Sequence, residues 1–292
     1  MVLYTQAIID GLLLGGLYAA IAVGLSLAFG VMRMVNWAHG EFLMVSMYLA
    51  SICITSLGMN PYLTILITGP IMFLVGYSLQ KGVLNRIIQK DNTREPRRVL
   101  LFTAGLGLVL SNGVTMIFSS DTQVVATKYS NASFNIGEFF FTTPRLVAFL
   151  IAITCTAALY IFLQRSETGR ALRATSQNRS AAKLMGINEE RIYAIAFGIG
   201  LALVGISASA LIPFFPYSPS LGLTFGFKSF VIVVLGGKGS VPGALLGGLL
   251  VGVIEKVGGI FTTDSYAQAL LFLLFVIILL LRPTGLLGKE TD

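Results

Sequence analysis

The run GLLLGGLYAAIAVGLSLAFG, residues 11–30, carries no charged side chain. About 20 mostly apolar residues is the length a helix needs to cross the hydrocarbon of a bilayer. The apolar stretch around it covers roughly 6–29, and five more runs meet or nearly meet that length: 36–56, 61–80, 99–118, 145–164 and 192–212. A seventh, 266–281, is short but almost purely aliphatic. Two shorter pieces, about 223–236 and 240–257, are split by Gly236-Gly237-Lys238-Gly239. They read as two thin spans or as a re-entrant hairpin, because broken helices are tolerated at membrane depth only inside protein or beside a wet cavity. The expected fold is all-α: one polytopic transmembrane helix bundle over 1–292, with about 8–9 membrane segments including the broken glycine-rich pair near 223–257.

Composition agrees. Charged residues make up 11% of the chain and apolar ones 55%, against about 25% charged in soluble domains. Twelve of the 20 Lys and Arg residues fall in two loops, six in Lys81–Arg98 and six in Arg165–Arg191. Short loops rich in Lys and Arg stay on the cytoplasmic side. Both loops are therefore expected inside, with the N-terminus and the nearly neutral loop 119–143 outside. Lys289 falls inside only if both short glycine-rich pieces cross, which favours nine crossings. The net charge of +7 is thus a matter of topology. No stripe of aromatic and basic residues accompanies it, and nucleic acid is not an expected partner. Cys53 and Cys155 lie inside apolar runs and read as small hydrophobes, not as a disulfide framework. The first run lacks a basic leader and a clean small-x-small cleavage pattern, so no cleaved signal peptide is expected.

Local signals support these borders. Asn60-Pro61 and Thr143-Pro144 pair a capping side chain with a proline at the first helical position. Asn188 precedes Glu189 and Glu190, a cap followed by acids in the first turn. Ser265 and Gln268 have capping-box spacing, and Pro283 stops the last helix. Pro213, Pro216 and Pro219 mark a stiff connection. Gly11 and Gly15 form a GxxxG pair, and Gly239, Gly243 and Gly247 repeat the spacing, as do Gly248 and Gly252. Small residues four apart let helices approach closely in lipid. They serve packing within the bundle or, alternatively, a subunit interface.

Motifs of chemistry are sparse. Gly237, Gly239 and Gly243 miss the dinucleotide-binding spacing by one residue, and Lys238 is followed by Gly239 where a P-loop needs Ser or Thr. No phosphate cradle is encoded, so ATP hydrolysis is not expected of this chain. His39 is the single histidine, and no further ligands accompany it for a metal. No serine has a nucleophile-elbow context. No catalytic residue and no metal site is expected, which leaves an intramembrane enzyme without a constellation. His39, with Asn36 and Glu41, heads the second span near its expected cytoplasmic border. An ionisable group in a membrane segment is a functional candidate by default. The competing reading is a polar knot that fixes a helix start.

The loop 165–191 is too long for a turn. Ala171, Leu172, Ala174, Ala181, Ala182, Leu184 and Met185 are its apolar members, and Arg170, Arg173, Arg179 and Lys183 its basic ones. Ser176 suits an N-cap and Gly186 a C′ position. This reads as a short amphipathic helix that rests on anionic lipid or docks a cytoplasmic partner.

Several segments carry a resemblance: Gly-Leu-Tyr-Ala-Ala-Ile-Ala-Val-Gly-Leu-Ser-Leu (16–27), Phe-Gly-Val-Met (29–32), Asn-Trp-Ala-His-Gly-Glu (36–41), Gly-Arg-Ala-Leu-Arg-Ala (169–174), Leu-Met-Gly-Ile-Asn (184–188), Val-Leu-Gly-Gly-Lys-Gly-Ser-Val-Pro-Gly-Ala (234–244) and Arg-Pro-Thr-Gly-Leu-Leu-Gly (282–288). Through them the chain resembles, nearly end to end, the LivH-like permease subunit of branched-chain amino acid ABC importers. Trp37 stands where phenylalanine is usual, and Lys238 at a commonly uncharged position. The resemblance implies a multi-pass protein of the bacterial inner membrane. Its partners would be a second related permease or a second copy, two cytoplasmic ATPase subunits that hold ATP and Mg, and a periplasmic substrate-binding protein. No cofactor would be bound by this chain itself. The resemblance also implies that 165–191 is a coupling loop seated on the ATPase, with Gly169, Arg170, Arg173, Ala182 and Gly186 at its core. A translocation path is expected near Asn36, His39 and Glu41 and near Gly237, Gly239 and Ser240, where interrupted helices expose backbone groups to polar solutes. Helix packing falls to Gly11, Gly15, Gly243 and Gly247. The same kind of importer for urea or short amides is the alternative cargo reading. An ion-coupled secondary transporter is the alternative class, and it would need deep carboxylates and inverted repeats.

Overall fold

The computed structural model describes residues 2–90, 97–130, 132–261, 264–282 and 284–288. It is a bundle of helices, α1 (Val2–Met32), α2 (His39–Leu57), α3 (Ile65–Leu79), α4 (Asn85–Lys90), α5 (Arg97–Phe118), α6 (Thr143–Arg165), α7 (Glu167–Gln177), α8 (Arg179–Leu184), α9 (Glu189–Leu211), α10 (Leu221–Gly236), α11 (Val241–Phe261) and α12 (Asp264–Leu281). Six of these are long and apolar enough to cross a membrane: α1, α2, α5, α6, α9 and α11. α10 and the 271–281 part of α12 are apolar but shorter. Gln80–Leu84 is a π-helical segment that joins α3 to α4, so the run expected to end near residue 80 continues as helix into the basic loop. A two-stranded antiparallel hairpin, β1 (Ser133–Ile136) and β2 (Phe139–Thr142), leads into α6 and bonds through Phe140 to Gln6 in the first turns of α1.

α1 is the central post. Leu17, Ala19, Ile21, Ala22 and Val23 are almost wholly buried, which an all-round apolar helix requires. Close backbone approach holds its neighbours. A Cβ at Gly24 would stand 2.5 Å from the Gly200 carbonyl oxygen of α9. One at Gly15 would meet Gly248 and Leu249 of α11, and one at Gly11 would meet Val253 and the Gly252 carbonyl. Gly243 lies against Gly236, and Gly247 against Ile232, closing α11 onto α10. With lipid as apolar as leucine, such close packing and interhelical hydrogen bonds are what hold helices together. Thr68 of α3 supplies one such bond, its Oγ1 lying 3.0 Å from the Gly205 carbonyl and 2.8 Å from Ser209 Oγ of α9.

Local chemistry departs from expectation at three helix starts. At α6 the cap position falls to Thr142, whose side chain makes no capping bond, and Thr143 is already the first helical residue. Asn60 accepts from the Tyr62 N–H at 3.0 Å and forms a turn over Asn60–Thr64, so α3 begins only at Ile65. Ser176 sits inside α7 and donates to the Arg173 carbonyl. The caps of the basic segment are instead Ser166, whose Oγ accepts from Gly169 N–H, and Asn178, whose Oδ1 accepts from Ala181 N–H. Asn188 caps α9 as the sequence suggests, accepting from Arg191 N–H. The side chains of Ser265 and Gln268, and residues Pro283 and Lys289, lie outside the described part of the chain.

Candidate functional site

α1 ends where Arg33 takes a left-handed conformation, φ 52. The chain then turns back as a non-helical segment, 33–38, before α2 starts at His39. His39 Nε2 lies 3.0 Å from the Ile21 carbonyl oxygen. That oxygen only accepts, so Nε2 carries the hydrogen. Ile21 precedes the end of α1 by eleven residues, about 16 Å along the axis at 1.5 Å per residue. The start of α2 is therefore deep inside the bundle, not at its basic border as periodicity suggested. A short re-entrant segment followed by an apolar helix looks, in sequence, the same as a loop followed by a full span.

The buried helix start is built from small residues. A Cβ on Gly40 would collide with the Gly222 carbonyl and Gly226 N–H of α10. Gly107 of α5 faces Ala38 and the Glu41 side chain, and Gly222 lies directly against the Glu41 carboxyl. Asn36 Oδ1 accepts from Ala38 N–H at 3.1 Å, and Trp37 N–H donates to Thr103 Oγ1 of α5 at 3.2 Å. Asn36 is 4% exposed, Glu41 7% and Tyr48 3%. Yet Asn36 Nδ2, Glu41 Oε2 and Tyr48 Oη have no hydrogen-bond partner among the described residues. Such orphans are rare in native interiors and call for an explanation. A cavity of about 20 Å³ beside Asn36 is lined by Leu25, Trp37, Gly226, Phe227 and Phe230. At the outer part of α2 a wider, open cavity of about 430 Å³ is lined by Tyr48, Ser51, Thr55, Phe118, Gln123 and Tyr217. Tyr217 anchors its wall, donating to Ser51 Oγ at 2.5 Å, while its backbone pairs with Gln123.

The glycine-rich turn lies elsewhere. Gly237 (φ 104) and Gly239 (φ 80) pack against Gly288 and Gly30 respectively, and Ser240 Oγ accepts from Gly243 N–H as the cap of α11. The 285–287 segment hydrogen-bonds to Leu235 and Gly236. The two candidate regions of a path thus have different neighbours. Asn36, His39 and Glu41 face α1, α5 and α10, while Gly237, Gly239 and Ser240 stitch the ends of α1, α10 and the C-terminal segment together.

A second buried polar cluster escaped the sequence reading. Lys228 of α10 pairs with both carboxylate oxygens of Glu255 on α11, at 2.9 and 2.8 Å. Tyr18 of α1 bonds to each, at 3.1 Å from Glu255 Oε1 and 3.2 Å from Lys228 Nζ. The Lys228 ammonium also stands 4.9 Å from the Tyr18 ring centroid. The 27-residue separation of the pair hides it from any local pattern. Only the presence of charged residues, Lys228 and the Glu255-Lys256 pair, in apolar runs could have flagged it.

In the basic segment, α7 is strongly amphipathic and packs on α6. Gly169 is buried where a Cβ would strike the Leu163 backbone, and Ala182 is buried in α8. Arg173 Nη1 donates to Gln164 Oε1 at 2.8 Å. Arg170 stays exposed, 3.8 Å from Glu167. α8 ends in a Schellman turn: Ile187 N–H bonds the Ala182 carbonyl, Gly186 N–H bonds that of Lys183, and Gly186 takes φ 82. That turn presents Leu184 and Met185 at 88% and 82% exposure.

Residues 7–279 match the family described as the permease component of the branched-chain amino acid transport system. The chain belongs to this family. The high-affinity branched-chain amino acid transport permease BraD of Pseudomonas aeruginosa is 34% identical, over 98% of this chain and 96% of its own length. The corresponding LivH of Salmonella typhimurium is 32% identical over the same shares. More distantly, the ribose import permease RbsC of Haemophilus influenzae is 25% identical over 78% of this chain and 71% of its own. No solved structure matches the chain. Family membership makes it a multi-pass membrane protein and a permease component of a branched-chain amino acid ABC transport system.

Proposed function

We propose that this permease works as one of two membrane subunits in an ATP-driven importer of the bacterial inner membrane, carrying branched-chain amino acids handed over by a periplasmic binding protein. The second permease is a related chain or a second copy, and two separate ATPase subunits bind ATP and Mg. The observation that carries this reading is the family match over residues 7–279. The basic loops mark the cytoplasmic side. The ATPase docks on 165–191: Arg170 and the Leu184–Met185 knob offer surface, while Gly169, Ala182 and Gly186 shape the two short helices and Arg173 ties α7 to the end of α6. Nucleotide-driven closure of the ATPases moves this segment and switches access between the two sides. Such a switch requires the ATPases to bind the two states with different affinity. Solute passes the buried start of α2 at Asn36, His39 and Glu41, where His39 positions the helix and the other two offer free polar atoms.

The test is reconstitution of the co-expressed complex with binding protein and ATP. ATP-dependent uptake of labelled leucine supports the reading. Uptake of urea alone would keep the architecture and replace the cargo, and uptake driven by an ion gradient in the chain alone would overturn it.

A further inference from the structure

Of the seven buried side-chain atoms without a partner among the described residues, three belong to one short stretch, Asn36 to Tyr48. Glu41 and Tyr48 are seven residues apart on α2, two turns and so on one face, about 10 Å along the axis. Ser51 and Thr55 continue outward from Tyr48 along the wall of the 430 Å³ cavity. Asn36 precedes the helix at the inner end and borders the smaller cavity. Across from this face stand Gly107 of α5 and Gly222 and Gly226 of α10, which leave polar atoms on α2 opposed by backbone without side chains. A mere polar knot would satisfy its own donors and acceptors, since leaving one buried and unmade is costly. Here Asn36 spends Oδ1 on Ala38 and leaves Nδ2 free, while Glu41 leaves Oε2 free.

We propose that Glu41 and Asn36 form a transient two-point contact for a zwitterionic α-amino acid inside this permease, reached from the open outer cavity past the Tyr48 hydroxyl. The ammonium donates to Glu41 Oε2, with Tyr48 Oη accepting from it on the way. The carboxylate accepts from Asn36 Nδ2. The positive end of the α2 N-terminus adds attraction for the carboxylate. Neither contact depends on the side chain of the cargo, so the branched alkyl group is not itself selected. The inference rests on the importer reading above.

The test uses the whole complex in proteoliposomes, with binding protein, ATP and labelled leucine, and reads leucine imported per ATP hydrolysed. Three conservative variants keep shape. Glu41→Gln keeps the volume, Tyr48→Phe keeps the ring against Phe118 and Tyr217, and Asn36→Asp keeps the oxygen that caps Ala38 while replacing the free donor with an acceptor. A lost charge-assisted contact lowers the ratio about tenfold for Glu41→Gln and Asn36→Asp, and the neutral hydroxyl of Tyr48 about threefold. An unchanged ratio in Glu41→Gln and Asn36→Asp, whether uptake holds or falls in step with ATP hydrolysis, overturns the proposal and assigns the residues to folding. A wild-type complex that imports no amino acid sinks the importer reading, and this inference with it.

Discussion

Lys228, Glu255 and Tyr18 show what single residues must do in this fold. Two charges inside apolar helices are tolerable because each satisfies the other and a tyrosine completes the set. Removing one partner of a fully buried pair leaves an uncompensated charge and costs about 3–5 kcal/mol, and less here, where Glu255 keeps 24% of its side chain exposed; removing both with groups of similar volume is often neutral. Lys228→Met should therefore lower the midpoint of thermal unfolding of detergent-purified protein sharply, and Lys228→Met with Glu255→Gln should restore most of it. Glycines divide in the same way. A side chain at Gly24 meets the Gly200 backbone, while nothing lies within 4 Å of a Cβ at Gly113. Gly24→Leu should abolish the folded bundle, and Gly113→Ala should be neutral or stabilising by up to about 1 kcal/mol, the helix-propensity gain. Both are checked by thermal melting. The GxxxG spacing announced Gly11 and Gly15 in the sequence. Gly24–Gly200 could not be read there, because neither has a glycine four residues away and their partnership is set by the tertiary register.

At the scale of elements, Asn188 marked the start of α9, while Asn60, Thr143 and Ser176 cap none of the expected helices. Apolar run length located α1, α2, α5, α6 and α9, but it took 61–80 for a full span where α3 has 15 residues and 240–257 for a short piece where α11 has 21. It did not see that α2 begins at the depth of Ile21, because hydropathy reports composition and not the level at which a helix starts. It also did not see the π-helical join at Gln80–Leu84, which carries no composition signal. The basic segment 165–191 was legible as amphipathic helix with a Gly186 terminus. Its division into α7 and α8 follows from Asn178, which ends one helix and caps the next. Asn178→Ala should weaken α8 by about 1 kcal/mol, seen as faster amide exchange at Ala181–Lys183 with the rest of the bundle unaffected. Because Leu184 and Met185 are exposed and touch little of the bundle, the double change Leu184→Ser, Met185→Ser should leave thermal stability within about 0.5 kcal/mol. The same change should release the ATPase subunits during co-purification. Arg173→Glu, which replaces the donor to the Gln164 oxygens with a carboxylate, should release them as well; retention by both variants would remove the docking assignment from this segment.

At the scale of the whole molecule, charge asymmetry sets orientation and family membership sets the class. The orientation predicts that a cysteine at exposed Lys128, in a background lacking Cys53 and Cys155, reacts with an impermeant thiol reagent added outside cells, and that one at exposed Ser180 reacts only after the membrane is opened. The residues proposed to line a path were half legible from sequence. Asn36, His39 and Glu41 stood out as polar residues in an apolar run, but Tyr48 did not, because a tyrosine in a membrane helix reads as packing until its hydroxyl is found without a partner. A permease that carries amino acids under ATP control must show it in uptake by the reconstituted complex with binding protein present. Labelled leucine should accumulate with ATP and stay at background with ADP or without the ATPase subunits. Accumulation that ignores ATP and follows an imposed ion gradient would contradict the account.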